Sequence, residues 1–178
     1  MPRWLSAVLV VAVFLLLAGG LYALRGSVSN PLTASQTSPE PVLVAASCHS
    51  DGVLPDPHCT PGVTDTRVTP DNIQTTICVS GYTSTVRPPP SYTDSLKKRQ
   101  IKQYGYADTN PADYEEDHLI PLELGGHPSD PGNLWPEPKP GATKKDEIEN
   151  ALHAKVCAGT MNLRDAQAAI ALNWETAG

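Results

Sequence analysis

From Leu5 to Leu24 the chain reads LSAVLVVAVFLLLAGGLYAL, a run without a charge and dominated by Val, Leu and Ala. About 20 apolar residues suffice to cross a bilayer as a helix, so this run is expected to be a transmembrane anchor. A cleaved secretory signal is the alternative, given the short basic start at Arg3 and the small residues Ala18-Gly19-Gly20. A buried core helix fits poorly, because no face of the run is polar. Arg3 and Arg25 flank it on both sides and set its orientation only weakly. Both readings export the remainder of the chain, either as an extracytoplasmic domain on the cell membrane or as a secreted protein. Residues 26–47, GSVSNPLTASQTSPEPVLVAAS, are Ser, Thr, Pro and Ala without a period, the composition of a flexible linker. The expected organisation is therefore an anchor or signal over 1–25, a linker over 26–47 and a folded domain over 48–178.

A domain of that size has room for one small core that is marginal without a staple. Cys48, Cys59, Cys78 and Cys157 form an even set in an exported chain, which favours two disulfides. Sequence alone leaves the pairing open. The preferred arrangement joins Cys48 to Cys59 in a short local loop and Cys78 to Cys157 between an early strand and a late helix. A structural zinc site is the rival, weakened because no pair has the C-x-x-C spacing. The net charge of −6 and pI of about 5.2 argue against a general nucleic-acid coating function. They leave room for an enzyme with a local basic strip. One such strip is LKKRQIK at residues 96–102 and a weaker one is Lys139, Lys144 and Lys145, each read first as a solvated helix face.

Within the domain, CHSDGVLPDPHCTPGV reads as loop. The alternation Ile73, Thr75, Ile77, Val79 predicts a short strand. The run Pro88-Pro89-Pro90 ends any ladder, and Ser91 or Thr93 is expected to cap a helix reaching about Tyr104. Ile148, Leu152 and Val156 recur every four residues in a helix predicted from Ala142 to Cys157. Asn162 is placed to cap a last helix with Leu163, Ala166, Ile170 and Trp174 on one face. The fold class is α+β, with small strands and helices on one side.

The stretch EEDHLIPLELGGHPSDPGNLWPEP, residues 115–138, carries the chemistry. Carboxylates beside an imidazole are costly unless a metal ion, a lysine or water sits among them. Asp117 and His118 point to opposite sides of a strand and can bracket one site, an Asp holding a divalent cation and a His activating water. Asn133 follows a reversal at Gly125-Gly126, where a side-chain amide can pin the loop. Glu115 and Glu116 are expected as solvated charge, His127 as an exposed loop residue and Trp135 as core. Nucleophilic catalysis is disfavoured: the cysteines are expected to be oxidised, and neither a G-x-S-x-G elbow nor a phosphate-binding glycine loop occurs.

Asp117-His118, Ile120-Pro121-Leu122, Gly125-Gly126 and Asn133-Leu134, followed by a helix, resemble the signature of the HNH endonuclease family. The match covers about residues 115–150. The resemblance implies a disulfide-stabilised domain with a ββα-metal core. It implies that His118 is the general base, Asp117 the first metal ligand and Asn133 the residue that orients the loop and the base. It also implies a divalent metal ion, Mg²⁺ foremost with Mn²⁺ or Zn²⁺ as alternatives, and a DNA or RNA substrate. The chain departs from the family at the last ligand, where Gly141 or Thr143 stands in place of a His or Asn. Asp146 is the candidate substitute; Asn150 and His153 lie further along. Lys145 is a phosphate contact or a helix-surface lysine. The leading expectation is metal-dependent phosphodiester hydrolysis at the membrane. The alternatives are a catalytically degenerate binding domain of the cell envelope and a toxin-like nuclease with an immunity partner.

Overall fold

Two short strands carry the centre of the domain in the computed structural model, which describes residues 47–51 and 53–178. The predicted anchor and nearly all of the predicted linker lie outside the described residues. Strand β1 (Tyr114–His118) pairs antiparallel with β2 (Leu134–Pro138), placing Tyr114 opposite Pro138 and His118 opposite Leu134. A two-stranded ribbon is marginal alone and needs helices against it. Helix α3 (Lys139–Cys157) follows β2 without a gap and lies against both strands. Helix α2 (Pro90–Gln103) also packs on the ribbon, where Gln100 Nε2 donates to Leu134 O at 2.7 Å and Lys97 Nζ to Tyr114 O at 3.3 Å.

The loop between the strands explains the glycine pair. Pro121 opens a 3₁₀ turn over Leu122–Leu124 that ends on Gly125 at φ 72°, a left-handed conformation suited to glycine. Gly126 passes so close to the chain that an added Cβ would lie 1.7 Å from Ile120 O. A second 3₁₀ turn, Pro131–Asn133, is capped by Asp130, whose side chain accepts from Gly132 N.

Three sequence expectations need correction here. No strand forms at 73–79. The segment makes a 3₁₀ turn at Ile73–Thr75 and leads into helix α1 (Tyr82–Val86) through Gly81 at φ 83°. Asn72 O gathers Thr75 N and the hydroxyls of Thr75 and Thr76, which curls the chain before a ladder can start. Helix α2 is begun by the proline run, with extended Pro89 at the N-cap and Pro90 inside the first turn, not by Ser91 or Thr93. Helix α3 starts at Lys139, three residues before the predicted Ala142.

Helix α4 (Leu163–Asn173) matches its prediction. Asn162 accepts from Arg164 N at 2.8 Å, and Leu163, Ala166, Ile170 and Trp174 are all buried. These residues meet Leu119, Leu124, Leu152 and Val156 in the main core. Trp135, fully buried, packs instead with Tyr104 and Cys48. The result is a small mixed helix-and-strand domain, compatible with α+β, held by the disulfides Cys48–Cys59 and Cys78–Cys157.

The two bridges close loops of very different length, with sequence separations of 11 and 79. Chain entropy alone makes the longer bridge worth about 2 kcal/mol more. Denaturant unfolding of the Cys78→Ala/Cys157→Ala protein should accordingly show the larger loss, relative to Cys48→Ala/Cys59→Ala.

A candidate active site around His118

His118 ends β1 and is 5 % exposed. Its Nε2 lies 2.9 Å from Pro128 O. A carbonyl can only accept, so Nε2 carries the proton and Nδ1 keeps its lone pair. Burial pulls the imidazole pKa below its ordinary value, against the opposing pull of Pro128 O and Asp117. His118 is therefore neutral at physiological pH, the state a base requires.

The carbonyl that fixes this tautomer is itself held in place. His127 is half-buried, and its Nδ1 accepts from Ser129 N at 3.2 Å and Asp130 N at 2.9 Å. Asn133, fully buried, donates from Nδ2 to Ile120 O at 2.9 Å and His127 O at 3.1 Å. Its Oδ1 accepts from Ile120 N at 3.0 Å and Val63 N at 3.3 Å. The Asn133 amide is thus committed to backbone, and it orients the His118 imidazole only through the loop that carries Pro128.

Asp117 does not wait for a cation. Lys145 Nζ lies 2.7 Å from Asp117 Oδ2, contacts Glu149 Oε1 and donates to His118 O at 2.9 Å. Lys145 is 1 % exposed, which corrects its reading as a surface lysine. The sequence held a signal: Lys145 stands three residues after Ala142 and seven before Leu152, on the buried stripe of α3. Lys145 stays charged because Asp117 and Glu149 flank it, which outweighs the cost of burial. One ammonium cannot support every anion around it. Glu137, 1 % exposed, is pushed up to about 9 by burial first and then by Asp117. Both of its carboxyl oxygens are buried without a hydrogen-bond partner among the described residues. Glu149 is pushed up to about 8, again chiefly by burial.

Glu116 also departs from expectation. Its two carboxyl oxygens are buried without a hydrogen-bond partner among the described residues, and burial pushes it up to about 8 despite Lys97 and Arg99 nearby. Glu115 is exposed, as expected.

Arg87, Glu115, Glu116, Asp117, His118, Asp146 and Glu149 line a small polar cleft. Arg87, Asp146 and Glu149 continue into an adjoining cleft that reaches Glu123 and Asn150. Asp146 is exposed at the rim, and its carboxyl is shifted upward by burial and by Asp117. Thr143 is exposed and lines neither cleft. Gly141 lies under Glu137, where an added Cβ would sit 3.0 Å from Oε1. Beyond Gly141 and Thr143, α3 presents Asp146 and Glu149 to this cleft, three residues apart on one face. Glu149, three residues before Leu152 and seven before Val156, shares the stripe of Lys145, a signal that separates it from exposed Glu147.

Asp117, Asp146 and Glu149 offer oxygens alone, the donor type for hard divalent ions. The first cleft has five carboxylates in its lining, with Arg87 among them and Lys145 beneath. Burial keeps Glu116 and Glu149 protonated up to about 8, so a cation bound there would displace the Glu149 proton. Away from this cleft, Cys78, His153 and Cys157 also bring ligating atoms together, although the two sulfurs are joined in a disulfide.

The chain matches no protein-family model, no curated protein and no solved structure. The chemistry open to the cleft is set by its own atoms.

The raised carboxyls tie stability to pH. Glu137 keeps its proton in the folded state up to about 9 but loses it near 4.5 when unfolded. Between those values the unfolded chain binds fewer protons, so stability falls as pH rises. Glu137→Gln keeps the side chain's size and removes that titration. Urea unfolding at about pH 5, 6, 7 and 8 should show a slope shallower by about 1.4 kcal/mol per pH unit in the variant.

Proposed function

We propose that this domain hydrolyses phosphodiester bonds in nucleic acid as an HNH-type, divalent-metal-dependent endonuclease, with DNA favoured over RNA. The observation that carries the reading is His118, a neutral imidazole with Nε2 locked on Pro128 O, in the lining of a cleft of carboxylates. Its Nδ1 makes no hydrogen bond with any described residue and is the atom that takes a proton from water. The water oxygen then attacks phosphorus, and the bond from phosphorus to the leaving oxygen breaks. Asp117, Asp146 and Glu149 would hold the divalent ion, which supplies charge neutralisation for the phosphate and the departing oxygen. Arg87 lies in the same lining and faces the phosphate as a counter-charge. Lys145 fixes Asp117 and the His118 backbone from below. The two disulfides support a location outside the cytoplasm, with the apolar run Leu5–Leu24 as the tether.

One observation favours a second reading, a non-catalytic envelope domain on the same scaffold. Lys145 already pairs with Asp117 and Glu149, so the cluster holds together without a metal.

Plasmid cleavage by metal-stripped protein resupplied with Mg²⁺, Mn²⁺ or Zn²⁺ separates the two. The nuclease reading expects cleavage that requires the metal and falls by about 10²–10⁴-fold in His118→Ala. It also expects the acidic limb of the kcat/KM profile to lie below the ordinary imidazole value of 6.5. Absence of cleavage in both proteins, each shown folded, overturns the nuclease reading and favours the binding domain.

A further inference from the structure

The far end of α3 carries a second constellation, about two helical turns beyond Asp146. His153 and Cys157 stand four residues apart, on one face of the helix. Cys78 reaches them from the turn that precedes α1. Their ligating atoms all lie within 4.8 Å of one another. His153 Nε2 is 3.3 Å from Cys157 Sγ and donates to Ile77 O at 2.9 Å. None of the three is fully buried. Cys78 and His153 line a pocket with Glu123, whose Oε1 is buried without a hydrogen-bond partner among the described residues.

We propose that Cys78, Cys157 and His153 are a redox-gated zinc site, bonded as a disulfide when oxidised and binding Zn²⁺ when reduced. Zinc takes thiolate at about 2.3 Å and imidazole nitrogen at about 2.0 Å in a tetrahedron. Those lengths separate sulfur from nitrogen by about 3.5 Å and the two sulfurs by about 3.8 Å. The His153–Cys157 separation is already close to this value, so the rearrangement is a parting of two sulfurs.

Atoms and electrons balance in this exchange. A dithiol reductant delivers two electrons, the Cys78–Cys157 bond breaks, and the reductant ends as its own disulfide. Zn²⁺ then displaces a proton from each thiol to solvent and forms two Zn–S bonds. The third bond goes to His153 Nε2, whose proton moves to Nδ1 as Ile77 O is released. A water completes the tetrahedron on the pocket side, beside Glu123. Either state ties the Cys78 turn to α3, so the staple survives a change of redox compartment.

The test uses the full chain in mild detergent, reduced with dithiothreitol, desalted without oxygen and titrated with Co²⁺ and then Zn²⁺. Reduced protein should take one equivalent of Co²⁺ with thiolate charge-transfer and tetrahedral d–d absorption, and Zn²⁺ should displace it. Oxidised protein should show neither band. Cys48→Ala/Cys59→Ala and Asp146→Asn should keep the bands, the second, at an exposed position of the His118 cleft, separating the two sites. His153→Ala should lower affinity by at least the roughly 10–100-fold that loss of an outer-shell partner costs. If reduction unfolds the chain, recovery of its circular dichroism on adding Zn²⁺ supports the site, and failure to recover overturns it. Absence of the thiolate bands, or equal affinity in His153→Ala, also overturns it.

Discussion

The buried ammonium of Lys145 is the contact on which the centre of this domain depends. It joins α3 to the end of β1 through Asp117 Oδ2 and His118 O, and joins its own helix turn through Glu149. A lysine with 1 % exposure is tolerable only with charge partners and hydrogen bonds for its ammonium. These contacts provide them. Removing either carboxylate would strand a charge in the core, which is far costlier than the pair's net contribution to stability. The same contact limits chemistry, because the cation that makes the cluster stable competes with any ion that would make it reactive.

A second, neutral network supports His118 from the other side. Asn133 bonds to the backbone of Ile120, His127 and Val63, and His127 gathers two further amides. Loops normally carry unsatisfied backbone into solvent; here two side chains satisfy it internally, and the loop that holds Pro128 O acts as a rigid part. The Gly126 approach to Ile120 O belongs to the same packing. The imidazole is therefore held by a covalently local segment, residues 118–133, with α3 contributing charge.

Much of this is legible in the sequence. The Asp117-His118 pair, the glycine reversal, Asn133 and the helix after them can be placed by spacing, since turn chemistry and helix caps are local. Both disulfides fit the expected pairing, and the capped α4 face is read directly from its period. The rest depends on tertiary context. Ile73, Ile77 and Val79 alternate like a strand, but a covalent tie at Cys78 and the hydrogen bonds of Asn72 curl the segment. Glu116 looks like solvated charge until packing against α2 removes its water. Residue type alone puts Lys145 on the surface, whereas its position on the apolar stripe of α3 puts it inside.

The prolines of β2 bear on how such a domain fares among other proteins. Pro136 and Pro138 lie opposite Glu116 and Tyr114, and neither has an amide hydrogen to offer. A ribbon of two strands has two open edges, each a template for a foreign strand. With two of β2's five positions unable to donate, a third strand would find a broken ladder along that edge. The strand is also buried along most of its length, and Thr60 and Gln100 already donate to Leu134 O. Proline and helix packing together thus close that edge to a foreign strand.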